Sequence, residues 1–288
     1  MLEDVLKSRF DEYAPGNALE QENVLMETMQ HYILASLSKH GIFSKAIFHG
    51  GTCLRIVKGM QRFSEDLDFL LKKPDSAFKW EPYVVGAQRD CRAEGIAFEV
   101  VGRDISEAAV RKTFLKTDSI GSLLYFQLPF GRHRQHKVRI KLEIDTNPPA
   151  GSVFETAYLM FPRLEPLTIQ TMESGFALKI HALLCRSYVK GRDWFDFLWY
   201  VARKVKPDMN LLANALNQQG FWAGMRPDVT VHWLYKSVTS RIKQIDWAQA
   251  RDDVQRFLPL SQQAALLHWE KDLFLYHARL LCGKVNGD

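Results

Sequence analysis

The sequence predicts an α+β chain, with a mixed β-sheet domain over residues 1–165 and a C-terminal helical lobe over 166–288. Three observations lead there. The first half interleaves short apolar or alternating segments with segments of helical period. Beyond Thr168 the period is almost wholly helical. No internal repeat, low-complexity tract or long linker intervenes, so the change of pattern is what marks the boundary.

In order along the chain, residues 20–38 carry Leu25, Met29, Tyr32, Ile33 and Leu37 at helical spacing, with Gly41 as the stop. Residues 46–49 make a short apolar strand that runs into Gly50-Gly51-Thr52, and residues 53–58 a brief helix ended by Gly59. A second strand is expected over 66–71, and further strands over 96–101, 122–127 and 138–145. The last has the cleanest alternation, with Val138, Ile140, Leu142 and Ile144 on one face and Arg139, Lys141, Glu143 and Asp145 on the other. Residues 147–151, Asn-Pro-Pro-Ala-Gly, break it. Helices are then expected over 172–186, 192–205, 210–219, 229–243, 247–257 and 266–282.

Composition narrows the setting. With 288 residues, 47% of them hydrophobic, the chain can bury a sizeable core without staples. Cys53, Cys91, Cys185 and Cys282 are scattered and form no C-x-x-C pair, which points away from a disulfide framework or zinc site and toward a reducing cytoplasm. The first residues lack a signal peptide's order, and no apolar run approaches the roughly 18 residues of a membrane span, so no membrane partner is expected. The net charge of +5, from 38 basic and 33 acidic residues, permits a polyanionic partner without requiring one.

The central chemical signal is Gly50-Gly51-Thr52, thirteen residues, then Asp66-Leu67-Asp68. Two carboxylates two apart on a strand point to one face and repel each other unless a cation lies between them. Hard oxygen donors suit Mg²⁺, which commonly takes one or two protein carboxylates and fills its shell with water and phosphate. The glycines let backbone turn sharply and approach a ligand, and Thr52 at a helix start is a place for phosphate. Nucleotidyl transfer needs a third carboxylate to draw a proton from the attacking hydroxyl; Glu143 and Asp145 are candidates, with two metal ions about 4 Å apart clamping the displacement. Either motif alone is more often a plain turn or a solvated strand face, and Glu143 and Asp145 also read as the polar face of an edge strand. Their joint spacing favours chemistry.

In the helical lobe, Lys179 could reach a triphosphate as a point charge. Asp193, with Asp196 three residues on, reads first as a helix cap, and Trp194, Phe195, Phe197 and Trp199 as core. Residues 131–137, Gly-Arg-His-Arg-Gln-His-Lys, concentrate positive charge next to the 138–145 strand, either as a solvated hairpin tip or as a hold on a nucleic-acid backbone. No H-E-x-x-H, P-loop lysine motif or G-x-S-x-G elbow competes.

Phe48-His49-Gly50-Gly51-Thr52-Cys53-Leu54-Arg55 together with Arg62-Phe63-Ser64-Glu65-Asp66-Leu67-Asp68-Phe69 resembles the first motif of the AbiEii/AbiGii toxin family of nucleotidyltransferases, on the DNA polymerase-beta-like fold. Lys179 and Arg192-Asp193-Trp194-Phe195-Asp196 look like its later lysine and its basic-Asp-aromatic-aromatic-Asp segment. The resemblance implies transfer of nucleotides from an NTP with Mg²⁺, for characterised relatives to the 3′ end of tRNA, and a separately encoded antitoxin in phage-defence or plasmid-type systems. Carried over by position, it implies nucleotide and metal binding by Gly51, Thr52, Asp66 and Asp68 and phosphate binding by Lys179; Gly50, Arg62 and Ser64, in the same two segments, are expected to bind the nucleotide with them. The resemblance also implies Asp193 as the later catalytic acid, with Asp196 as its rival, while Glu143, read from the strand pattern, is the candidate third metal ligand beside Asp66 and Asp68. The active site is expected in the cleft between the lobes. Two other readings stay open: an enzyme of this fold acting on a small molecule or protein side chain, and a nucleotide-binding protein without catalysis.

Overall fold

A computed structural model describes residues 2–103, 119–130 and 134–283. The described residues divide into two compact units, one running to 148 and including 155–169, the other made of 149–154 and 170–283. The division therefore comes at the end of a strand rather than at 165, and the turn after 148 goes with the helical unit.

The first unit is built on helices α1 (Leu2–Tyr13), α2 (Ala18–Lys39), α3 (Gly50–Ile56) and α4 (Glu81–Ala93) and strands β1 (Ala46–His49), β2 (Leu67–Leu71), β3 (Phe98–Arg103), β4 (Ser119–Phe130), β5 (Arg134–Asp145), β6 (Phe154–Leu159) and β7 (Glu165–Gln170). The strands form one sheet in the order β3-β4-β5-β2-β1-β7-β6. It is mixed: β1 pairs antiparallel with β2 and parallel with β7, while β5 runs parallel to β2 and antiparallel to β4.

Helix α2 starts where Asn17 accepts the Glu20 N–H at 2.8 Å, an ordinary side-chain cap. Its Met29, Ile33, Leu34 and Leu37 are buried with Phe48, Leu67, Phe69, Ile140, Leu142 and Ile144 in the main core. Each such side chain contributes about 1.5–3 kcal/mol by leaving water. Phe48 and Phe69, with ring centroids 5.5 Å apart, join β1 to β2 directly behind the glycine turn.

Several boundaries differ from the sequence expectation. The helix expected over 53–58 begins at Gly50, because that residue's φ of +78° lets the chain turn straight out of β1. The strand expected from 66 begins at Leu67, and the one expected over 96–101 covers Phe98–Arg103. β4 and β5 are longer than expected, since each extends the other's ladder out to Phe130↔Arg134. Of the basic loop expected over 131–137, residues 134–137 therefore belong to β5, and residues 131–133 lie outside the described residues. Helix α1, helix α4 and strands β6 and β7 carry no expectation from the pattern. Pro82 at the second position of α4 is a start signal that could have found that helix.

The second unit contains α5 (Met172–Cys185), α6 (Gly191–Ala202), α7 (Met209–Gln218), α8 (Val231–Ile242), α9 (Trp247–Gln255), α10 (Leu260–Gln263) and α11 (Lys271–Leu281). Expected helices 172–186, 192–205, 210–219, 229–243 and 247–257 have counterparts within a few residues at each end. The one expected over 266–282 is instead a 3-10 turn at Ala264–His268 followed by α11. Trp194, Phe197 and Trp199 are buried as expected, and Phe195 is half-buried. Trp247 stacks on Phe274 at 3.8 Å, with Trp194 edge-on to both. Gly191 opens α6, and only glycine fits there because a Cβ would lie 1.7 Å from the Ala250 carbonyl oxygen. Among the described residues no helix is long and apolar enough to cross a membrane.

Candidate active site

Two groups of carboxylates stand out, one in each unit. The first begins at the turn from β1 into α3. A Cβ at Gly50 would lie 2.6 Å from Asp68 Oδ2, so the Asp68 carboxylate lies directly over the Gly50 backbone. A Cβ at Gly51 would meet Arg62 Nη2 at 2.7 Å and Ser64 Oγ at 2.9 Å. A side chain at Gly50, whose φ is +78°, would therefore displace the Asp68 carboxylate, and one at Gly51 would push aside the Arg62 and Ser64 side chains.

Thr52 is fully buried, and its hydroxyl donates to the Asp66 carbonyl oxygen. It ties the start of α3 to the entrance of β2 and so holds the aspartate pair in place. Helix α3 has seven residues, which leaves Thr52 a short dipole at best for a phosphate. The Gln30 amide of α2 donates to the Ser64 and Glu65 carbonyls at 2.9 and 3.0 Å. Arg55 donates to the Met60 and Gln61 carbonyls at 3.2 and 2.8 Å and is anchored by Glu27 at 2.6 Å. Arg62, 2% exposed, donates from Nη1 to the Phe63 carbonyl. The loop before β2 is therefore fastened on three sides, and Asp66 and Asp68 emerge from it half-buried.

Strand register supplies the neighbours. Asp68 lies opposite His49 on β1 and opposite Glu143 on β5. Asp145 lies opposite Leu70, one pleat farther on, and is buried; its Oδ1 accepts the Asn147 N–H at 3.1 Å, which shapes the turn leaving β5. Register thus separates the two carboxylates that the sequence left equivalent, and sets Glu143 beside Asp68. Lys141, on the same face as Glu143, bonds it through Nζ. Burial alone would lower the Lys141 pKa, but the charge and hydrogen bond of Glu143, then Asp66 and Asp68, outweigh it and hold the amine above its usual range.

The donors fit a hard divalent cation in type. Among the described residues no three His, Cys, Asp or Glu side chains converge as a ready metal cage. Mg²⁺ seldom needs one, since one or two carboxylates plus water and phosphate complete its shell. Asp66 and Asp68 could hold it, and the ion pair of Lys141 with Glu143 already sets one cation on this face.

The second group lies in α5 and α6. Lys179 Nζ sits 2.7 Å from Asp193 Oδ1 and 2.8 Å from Asp196 Oδ2, with both carboxylates almost wholly buried. Arg186 Nε is 3.2 Å from Asp193 Oδ2, close enough for an ion pair though neither atom has an aligned hydrogen bond. Burial alone would raise the Asp193 pKa; the charges of Lys179, Lys190 and Arg186 and the Lys179 hydrogen bond hold it well below the usual carboxylate range. The cap reading of Asp193 is overturned. The N-cap of α6 is Lys190, which makes no side-chain capping bond, and the Asp193 side chain turns inward to Lys179. Asp196 shares that lysine because residues three apart on a helix lie on one face.

Sequence reasoning passed over Gln30, Arg186 and Lys190. Arg186 lies about two helical turns beyond Lys179, a spacing that could have flagged it. Gln30 offers no signal, since its partners are remote in sequence.

A family model described as nucleotidyl transferase AbiEii toxin, type IV toxin–antitoxin system, matches residues 32–271, which include both carboxylate groups. A structure from H. pylori, named provisionally as a nucleotidyltransferase, aligns with a TM-score of 0.55 at 16% identity, covering 90% of this chain and 96% of that one. At that identity the likeness shows a common fold. JHP933 from Helicobacter pylori aligns at 0.49 and 16% identity, over 91% and 93% of the two chains. No curated protein matches the sequence.

Proposed function

Since the chain belongs to the nucleotidyl transferase AbiEii toxin family of type IV toxin–antitoxin systems, we propose that it is a Mg²⁺-dependent transferase that moves a nucleotide from an NTP onto an RNA, with the tRNA 3′ end as acceptor and a cognate antitoxin as its check. The observation that carries the reading is the register that sets Asp68 beside Glu143, with Asp68 lying over a glycine that has no room for a side chain.

Asp66 and Asp68 would hold Mg²⁺, which when bound offsets the charge of the triphosphate and of the displacement at its α-phosphorus. The acceptor hydroxyl oxygen forms the new bond to that phosphorus, the α–β phosphoanhydride bond breaks, and pyrophosphate leaves. Glu143 takes the hydroxyl proton; it has the position for this beside Asp68 on a partly exposed strand face. Thr52, Gln30 and Arg62 keep the aspartate loop in one conformation, so that little reorganisation is needed when substrate arrives. In the helical unit, Asp193 and Asp196 hold the Lys179 ammonium between them, and phosphate binding by this lysine would require it to leave one of the two.

The test is incubation of the full chain with each labelled NTP, Mg²⁺ and total RNA. A labelled band of tRNA size that disappears in Asp68→Asn is expected. Label on protein or on a small molecule instead would move the acceptor to another class, and no transfer to any acceptor would remove the enzyme reading.

A further inference from the structure

We propose that the ammonium of Lys141 is a built-in counter-cation for the face formed by Asp66, Asp68 and Glu143, and that a divalent cation enters the site by displacing it. The inference rests on the metal-site reading above and adds a competitor supplied by the chain itself.

Three observations converge on Lys141. It lies on the same face of β5 as Glu143, and its Nζ bonds that carboxylate. The parallel pairing of Leu67 with Leu142 and Asp68 with Glu143 brings Lys141 alongside Asp66, at the point where the chain enters β2. Both aspartates act electrostatically on its amine. The same lysine engages Glu143, and among the described residues no three carboxylates converge on one point.

Exposure makes displacement feasible. The side chains of Lys141 and Glu143 are 40% and 30% exposed, so the long lysine stem can swing into water when a stronger cation arrives. The Lys179 ammonium, at 13% exposure and between two buried carboxylates, has no such exit. Without metal, Lys141 offsets the mutual repulsion of the acids; with metal, its departure releases Glu143 for the acceptor proton. Lys141 is in this sense a positioning residue that also sets the threshold for metal entry.

The experiment is Mn²⁺ binding to the nucleotide-free full chain, followed by electron paramagnetic resonance. Lys141→Met is expected to bind Mn²⁺ about tenfold more tightly than wild type, the order of one charge–charge term at a partly exposed site. Lys141→Arg, which keeps the charge, should stay near wild type. Binding that depends on Asp68 but is unchanged or weaker in Lys141→Met overturns displacement and leaves the metal reading standing. Absence of any Asp68-dependent binding overturns both. A second measurement needs no variant: acetylation of Lys141 by an N-hydroxysuccinimide ester, mapped by mass spectrometry, should rise severalfold when Mn²⁺ is added to wild type. No rise at saturating Mn²⁺ also overturns the proposal, and this arm decides the matter should Lys141→Met not fold.

Discussion

Asp66 and Asp68 in one unit and Asp193 and Asp196 in the other are the same chemical groups in opposite circumstances. The first pair is half-exposed at the edge of a glycine turn, with a partly exposed lysine beside it. The second is buried, and a lysine enclosed between its members completes a closed ion-pair set that an arginine extends. The contrast teaches that burial decides whether a carboxylate can exchange partners. An exposed acid gives up one cation for another at little cost, whereas a buried one leaves an uncompensated charge behind.

The sharpest way to break this comparison is to remove one charge from each group. Asp68→Asn should lower transfer by about a thousandfold or more. Its unfolding free energy should shift by no more than about 1 kcal/mol, as for exposed charges generally. Asp196→Ala should instead destabilise the chain by about 3–5 kcal/mol, because Lys179 then keeps a buried charge with half its compensation. Urea unfolding of both variants beside labelled-NTP transfer checks the pair; equal stability losses would erase the distinction.

A finer probe uses glycines. Gly50 has φ +78° and would place a Cβ 2.6 Å from Asp68 Oδ2, while Gly59 has φ +71° with nothing within 4 Å. Both alanine variants carry the left-handed backbone cost of about 1–2 kcal/mol. Gly50→Ala alone should also push the Asp68 carboxylate aside and abolish transfer. Matching activities in the two variants would show that the Gly50–Asp68 contact is dispensable.

Acid titration gives the smallest effect. The folded pKa of Asp193 is depressed, since Lys179, Lys190 and Arg186 outweigh burial, which alone would raise it. Its contribution is therefore fully present above the unfolded value near 4 and is lost as pH falls toward the lower folded value. Between pH 4 and pH 2 wild-type stability should fall more steeply than that of Asp193→Asn, by up to about 1.4 kcal/mol per pH unit. Parallel slopes in denaturant melts would separate Asp193 from its cations.

Much of the fold was legible in the chain. The glycine turn, the second strand and the helical unit all announce themselves through neighbours in sequence, and so do the inward faces of β5 and α2. The edge strand β6 did not, because its residues are mostly exposed and it gains order from lying beside β7. Strand β7 was obscured by Pro166 next to its start.

At the candidate site, sequence alone drew attention to Gly50, Gly51, Asp66 and Asp68, because they sit in two short motifs whose joint spacing carries chemical meaning, and to Lys179 through its resemblance to a family lysine. Tertiary structure decided which acid meets which cation. Register set Glu143 rather than Asp145 beside Asp68, and α2 brought Gln30 to the aspartate loop. Helix packing turned Asp193 from an expected cap into a buried partner of Lys179. The physical reason is range. Alternation, helical period and turn chemistry are set by residues a few positions apart, whereas an ion pair depends on distances between segments that only the folded chain brings together, and on a burial that no single segment possesses.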